Sequence, residues 1–163
     1  MDLEKGKQIF FRFNGSRFHI DRECPDEYKK CGVPNSVEKQ WLEEIKIDFL
    51  KNISVESGHS KVILINNYIQ LLDNESAVHF VIEVLNQTDL DTFSMIILAE
   101  TLKHYKSAYI SERLKQEINK LLLLLKKIML NGEIKIDDSY KKDPYMKDHD
   151  FTKENIINRI NKL

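Results

Sequence analysis

Residues 111–130 of this chain have the sequence SERLKQEINKLLLLLKKIML, and Asn131 and Gly132 follow. Apolar residues recur here at steps of three and four, which is the period of an α-helix with one wide apolar face. They are Ile110, Leu114, Ile118, Leu121, Leu122, Leu125, Ile128 and Met129. Leu123 and Leu124 widen that face, so we expect this helix to pack against neighbours on more than one side.

Four further segments between residues 36 and 105 have helical spacing. Asn35 and Glu38 form a capping-box pattern before the first of them. The expected helices are residues 36–53, 61–72, 75–85 and 89–105. The links between the last three helices are short and rich in capping residues, which predicts antiparallel neighbours. The segment KVILI within residues 61–72 is also typical of a strand, and only its extension favours a helix.

The sequence predicts a β-hairpin over residues 8–20, QIFFRFNGSRFHI. Asn14 and Gly15 separate two runs of β-prone residues, which is the strongest short-range signal for a hairpin. A two-residue turn would place Ile9, Phe11, Phe13, Phe18 and Ile20 on one face of this hairpin. We expect that face to pack on the helical body, because an isolated hairpin is only marginally stable in water.

The expected fold is mainly α: an antiparallel helical array or bundle preceded by the N-terminal β-hairpin. We expect one domain over residues 1–163, with the hairpin at 8–20, a helical core at 36–130, and a surface segment and C-terminal helix at 133–163. Residues 133–136 alternate and are compatible with a short strand. The helix pairs of about 30 residues resemble the stacking of HEAT and TPR repeats in outline. Their signature residues are missing, so an ordinary bundle explains the pattern equally well.

Composition and charge limit the classes of function. The net charge of −1 makes nucleic acid an unlikely partner, because such proteins carry a basic surface. No apolar run approaches the roughly 20 residues that span a bilayer, and the N-terminal residues are too polar for a signal peptide. Cys24 and Cys31 match no zinc or redox spacing, and we expect free thiols in the cytoplasm. The oligomeric state is not predicted.

Two His/Glu pairs are the best candidates for chemistry. His79 and Glu83, and likewise Glu100 and His104, are four residues apart, so each pair shares a helix face. Imidazole and carboxylate groups bind zinc, iron or manganese. The two pairs differ in height along neighbouring helices by about 10 Å, which favours solvated side chains over a metal site. We therefore expect no cofactor, and a metal-dependent or hydrolytic enzyme is the alternative function.

The other side of the predicted hairpin carries a candidate binding surface formed by Phe10, Arg12, Arg17 and His19. Arginine and aromatic side chains are favoured at the centres of protein interfaces. The competing interpretation is that the arginines pair with acids between residues 21 and 26. No nucleophile elbow or phosphate-binding loop is present. The sequence thus favours a non-enzymatic protein-binding module, in concrete terms a small bacterial partner protein of the immunity or antitoxin kind.

Overall fold

The computed structural model describes residues 2–87, 89–105, 110–146 and 149–163 of the chain. All regular secondary structure within these residues is helical. The helices are α1 (Leu3–Arg12), α2 (Arg17–Glu23), α3 (Pro25–Cys31), α4 (Asn35–Val55), α5 (Gly58–Ile69), α6 (Asn74–Gln87), α7 (Thr92–Tyr105), α8 (Glu112–Asn131), α9 (Asp138–Lys142) and α10 (Lys153–Asn161), with a 3₁₀ turn at Pro144–Met146. The chain forms two compact units, Met1–Ser54 and Val55–Leu163. The expectation of one domain stays a prediction.

The predicted β-hairpin over residues 8–20 is wrong, because these residues form most of α1 and the first part of α2. The Asn-Gly pair takes the positive φ values that a hairpin turn would need, +50° at Asn14 and +72° at Gly15. Here those values end a helix. The Gly15 N–H donates to the Phe10 carbonyl at 2.9 Å, and the Asn14 N–H donates to the Phe11 carbonyl at 3.0 Å. This is the pattern of a Schellman C-cap, which the same residue types favour.

The helical spacing within α1 explains why it forms a helix. Gly6, Ile9 and Phe10 are its buried residues, at steps of three and four. The Asp2 carboxylate accepts a hydrogen bond from the Lys5 N–H at 3.1 Å and caps the N-terminus. The alternation of Ile9, Phe11 and Phe13 is therefore incidental, and the pattern that includes Phe10 determines the structure.

The first unit, Met1–Ser54, is built around three aromatic rings. Phe10 of α1 lies 6.4 Å from Tyr28 of α3 and 5.7 Å from Trp41 of α4 between ring centroids. A Cβ atom at Gly6 would lie 2.5 Å from Val33, so the absence of a side chain there lets α1 approach the segment after α3. Aromatic rings of this size dominate the energetics of a small core.

The second unit, Val55–Leu163, contains the helices predicted over residues 61–130. α6 packs against α5 and α7, α7 packs against α8, and α10 packs on α7 and α8. This is consistent with the predicted helical bundle. The resemblance to HEAT and TPR stacking stays a prediction. α5 begins at Gly58 and runs through KVILI, so the helical interpretation of that segment is confirmed.

Residues 133–136 form no strand within the described part of the chain. They pair instead with the start of α7: the Thr92 N–H donates to the Lys135 carbonyl and the Lys135 N–H to the Thr92 hydroxyl, each at 2.9 Å. The following α9 places Tyr140 in the core, where it is fully buried. Thr152 caps α10, accepting a hydrogen bond from the Asn155 N–H at 3.4 Å.

None of the helices described here has both the length and the apolar character needed to cross a bilayer. Cys24 and Cys31 are both free, and Cys31 is buried against α1 and the loop after α3.

Candidate functional site

The four residues of the predicted hairpin surface do not lie on one surface. Phe10 is only 3 % exposed and belongs to the core of the first unit. Arg12 is exposed, and its guanidinium lies over the Phe13 ring at 5.2 Å from the centroid. His19 is partly buried, and its Nδ1 lies 2.8 Å from the Ser16 hydroxyl.

Arg17 has a structural partner. Its guanidinium contacts the Glu38 carboxylate at 2.9 Å and lies over the Tyr28 ring at 5.1 Å from the centroid. The Tyr28 hydroxyl donates to the same carboxylate at 2.8 Å. Sequence reasoning anticipated that an acid would pair with the arginines, but expected that acid between residues 21 and 26. Glu38 lies on α4, and only the fold brings it to Arg17.

The two candidate His/Glu pairs, for which the sequence favours solvated side chains over a metal site, lie on α6 and α7 of the second unit. His79 and Glu83 are exposed on α6. The Glu100 carboxylate on α7 accepts two hydrogen bonds from Arg159 of α10, at 3.0 and 2.6 Å. His104 is exposed and lies edge-on to the Tyr105 ring at 6.2 Å. Among the described residues, no group of three or more histidine, cysteine or acidic side chains is placed to hold a metal ion.

A chain of polar side chains runs through the second unit. The Tyr140 hydroxyl lies 2.8 Å from that of Ser94, which also bonds to the Asp91 carboxylate. The Tyr140 ring packs against His59 at 5.0 Å between centroids, and His59 Nδ1 lies 2.9 Å from the Asp143 carboxylate. Burial raises the pKa of Tyr140 above its usual range.

This polar chain has a structural role in joining α5, α7 and α9. Gly58 has φ +54°, and a Cβ atom there would lie 2.4 Å from the Asp137 carboxyl group. The His59 N–H donates to the Ser139 hydroxyl at 2.9 Å, so the start of α5 is bonded to α9. In the described part of the chain every buried side-chain nitrogen or oxygen has a hydrogen-bond partner. The polar side chains that link α5, α7 and α9 therefore satisfy one another's hydrogen-bonding capacity.

The most unusual surface of the second unit is on α8. Four large apolar side chains there are exposed: Leu123 by 70 %, Leu124 by 52 %, Ile128 by 50 % and Leu130 by 43 %. We call these four residues the outer face of α8. At 100° per residue, Leu123 and Leu130 form one row, and Leu124 and Ile128 form a second row roughly 130° around the helix from it.

Two lysines lie between these rows. Lys120 is one helical turn before Leu123 and Leu124, and Lys127 is one turn after them. Both lysines are exposed, and within the described chain neither forms an ion pair. By contrast, Lys115 in the first half of α8 pairs with Glu112 at 2.7 Å. The outer face of α8 is thus apolar and basic.

A groove lies at each end of the outer face. Beside Leu130 is a groove of about 380 Å³, lined by apolar residues and by Glu133 and Lys153. Its lining includes Met129, Ile134, Ile136, Phe151 and Ile157. Beside Leu123 is a smaller groove of about 290 Å³, and its lining includes Lys103 and Lys126. The two grooves extend the surface that a partner would contact.

The sequence contains a partial signal for this surface. Leu123 and Leu124 add to an apolar face that already satisfies the helical period, so they exceed what one buried stripe needs. Sequence reasoning expected them to pack against further neighbours of the same chain. Which of the ten apolar residues of α8 face inward depends on how α7 and α10 pack on it, and periodicity alone does not give that.

Comparison of the chain with models of protein families, with curated proteins and with solved structures finds no match. The function of the outer face of α8 is therefore inferred from its own side chains.

Proposed function

We propose that this protein is a non-enzymatic protein-binding module and that its partner binds the outer face of α8. The observation that carries the proposal is the exposure of four large apolar side chains on adjacent turns of one helix. Single exposed apolar residues are common on protein surfaces, but several within three turns of one helix indicate an interaction site.

The free energy of partner binding would come from burial of the exposed apolar area of α8. Burying a fully exposed leucine or isoleucine side chain contributes about 1.5–3 kcal/mol. The side chains of the outer face are between 43 % and 70 % exposed, so each would contribute a fraction of that value on binding. Residues at the centre of such a patch are where interface energy concentrates. Leu123 and Leu124 occupy the centre, since they lie between Lys120 and Lys127.

In concrete terms, we propose a small cytoplasmic bacterial partner protein of the immunity or antitoxin kind. Its two free cysteines support this. The heavy use of isoleucine, lysine and asparagine supports a bacterial source with an AT-rich genome. The enzymatic alternative, which uses His79, Glu83, Glu100 and His104, stays a prediction. Metal analysis of protein purified without chelator tests it.

Capture from a native lysate tests the proposed function. The bait is the full chain, and captured proteins are identified by mass spectrometry. The double variant Leu123→Ser with Leu130→Ser removes apolar area from the outer face. Ile47→Ser is the matched control, because Ile47 is 66 % exposed on α4 of the other unit.

We expect a protein that wild type and the Ile47→Ser variant both retain and that the double variant loses. The far-ultraviolet spectrum should be the same for all three proteins. If the folded double variant captures the same proteins as wild type, the outer face of α8 is not the binding site.

A further inference from the structure

We propose that the partner presents an acidic amphipathic helix, in which a stripe of apolar side chains is bordered by aspartate or glutamate. This inference rests on the proposed function and adds the chemistry of the partner. It follows from the charges around the outer face of α8, which are all of one sign over two turns.

Residues 118–132 include three lysines and no acid. Lys120 and Lys127 lie between the two apolar rows, and Lys126 lines the groove beside Leu123. The nearest acids lie at the two ends of the segment. Glu117 lies one turn before Lys120 and Leu121, and Glu133 lines the groove beside Leu130 and contacts Lys135 at 3.8 Å. On α8 itself, the charged groups within one turn of Leu123 and Leu124 are therefore all cations.

The lysines of the smaller groove keep hydrogen-bonding capacity for a ligand. Lys126 donates to the Asn161 carbonyl at 2.7 Å, and Lys103 donates to the Lys162 carbonyl. These bonds fix both ammonium groups at the end of α10, where cations are favoured by the helix dipole. Each ammonium has three N–H donors, so one bond to a carbonyl leaves two for a carboxylate.

A helix fits the dimensions of this surface. Leu123 and Leu130 are separated by about 10 Å along α8, which is two helical turns. A partner helix crossing here would present side chains at steps of three, four and seven to the two rows. The groove of about 380 Å³ beside Leu130 has room for one large apolar anchor.

The charges argue against a second copy of this chain as the occupant. A symmetric dimer would bring the same patch of both copies together. Lys120 and Lys127 of one copy would then face lysines of the other, and like charges would repel across an apolar interface.

The position of the lysines also argues against a membrane surface. Helices that lie on bilayers separate their apolar and charged faces, and only the apolar face enters the lipid. Here Lys120 and Lys127 lie between the apolar rows, so insertion of both rows would carry two ammonium groups with them. A protein can place carboxylates against these lysines, whereas lipid tails cannot.

A pair of synthetic helical peptides tests the inference on the full-length protein. Both are about 20 residues long and have the same leucine stripe. One peptide has glutamates along the borders of the stripe, and the other has lysines at the same positions. Fluorescence anisotropy measures binding of each peptide at about 0.05 M and about 0.5 M salt.

We expect the acidic peptide to bind at least about tenfold more tightly than the basic one, the sum of several exposed charge pairs. High salt should reduce that difference. The variant Lys120→Glu with Lys127→Glu should remove or reverse it. Lys39→Glu with Lys51→Glu, an equal change of charge on exposed residues of α4, should leave it unchanged.

The inference would be overturned by equal affinity for the two peptides, by binding of neither, or by binding of vesicles containing phosphatidylserine by a protein that does not distinguish the peptides. Self-association in sedimentation that Leu123→Ser abolishes would identify a second copy as the occupant and would also overturn it. The proposed function is judged separately, by the lysate capture. If a partner is retained there but its binding does not depend on charge, the proposed binding face stands and the proposal of an acidic helix is contradicted.

Discussion

α4 and α8 are the two longest helices in the described chain, one in each unit, and both expose apolar residues. α4 exposes Ile47, Leu50 and Val55, and α8 exposes the four residues of its outer face. The two helices are nearly equal in length, 21 and 20 residues. Their outer surfaces differ in how charges surround the apolar groups.

On α4 the charges are of both signs, and several of them are paired. Lys46 contacts Glu43 at 2.8 Å, and Glu44 contacts Lys7 of α1 at 2.6 Å. On the second half of α8 the exposed charges are lysines alone. A surface of alternating, paired charges is typical of a helix face that contacts water. The comparison shows that exposure of apolar residues is not sufficient to identify a site. The charge pattern around them distinguishes α8.

The inner side of α8 should dominate stability, and its outer face should contribute little. Leu122 is 6 % exposed and its neighbour Leu123 is 70 % exposed. We expect Leu122→Ala to lower the free energy of unfolding by about 2–5 kcal/mol, because it leaves a cavity and loses apolar burial. Leu123→Ala removes the same atoms and should change it by less than about 0.5 kcal/mol.

Urea denaturation followed by circular dichroism measures both values. Similar effects of the two substitutions would show that the inner and outer sides of α8 are not distinct.

The contact between the turn after α1 and the inner side of α4 depends on Gly15. Its φ is +72°, and a Cβ atom there would lie 3.1 Å from both Leu42 of α4 and Phe10. We expect Gly15→Ala to lower the free energy of unfolding by about 1–3 kcal/mol. Gly32 is the control, since it also has positive φ but nothing lies within 4 Å of its Cβ position. Gly32→Ala should therefore cost less, about 1 kcal/mol from backbone strain alone.

Trp41 is the only tryptophan of the chain, so its fluorescence reports unfolding of the first unit. Equal losses for Gly15→Ala and Gly32→Ala would mean that contact with Leu42 and Phe10 does not constrain the turn.

Both units should lose stability at alkaline pH through buried tyrosines. Burial and a hydrogen bond to Glu38 raise the pKa of Tyr28, and burial raises that of Tyr140. A raised pKa in the folded state contributes stability that is present below the unfolded pKa of about 10 and is lost as pH rises above it. The slope is at most about 1.4 kcal/mol per pH unit for each tyrosine.

Tyr28→Phe should reduce this alkaline loss in the first unit, observed through Trp41 fluorescence. Tyr140→Phe should reduce it in the second unit, observed by circular dichroism. A loss above pH 10 that neither substitution changes would remove these tyrosines as its cause.

The helices of the second unit were predictable because their pattern is long. α8 repeats its apolar spacing over five turns, so no strand pattern competes with it. The segment at 8–20 is shorter, and its Asn-Gly pair fits a hairpin turn and a helix C-cap equally, because both need positive φ. The helical spacing of Gly6, Ile9 and Phe10 distinguishes the helix from the hairpin. Gly6 lies before the predicted strand, so residues 8–20 alone do not contain the whole pattern.

The contacts of the candidate site residues were less predictable because they join residues that are distant in sequence. Arg17 pairs with Glu38 on another helix, and Glu100 pairs with Arg159, which is 59 residues away. Local spacing cannot reveal such pairs, so it left Arg17 as a candidate for binding and Glu100 as a candidate for metal. The lysines of α8 were visible in the sequence. Only the packing of its inner side shows that Leu123 and Leu124 share the exposed side with them.

Site-specific photocrosslinking tests the binding role of the outer face most directly. A benzophenone side chain replaces Leu123 in one protein and, as the control, Ile47 in another. Each protein is illuminated in a native lysate. We predict a discrete crosslinked product from position 123 and none of the same mass from position 47. The same product from both positions, or none from position 123 when the lysate capture retains a partner, would contradict a binding site on α8.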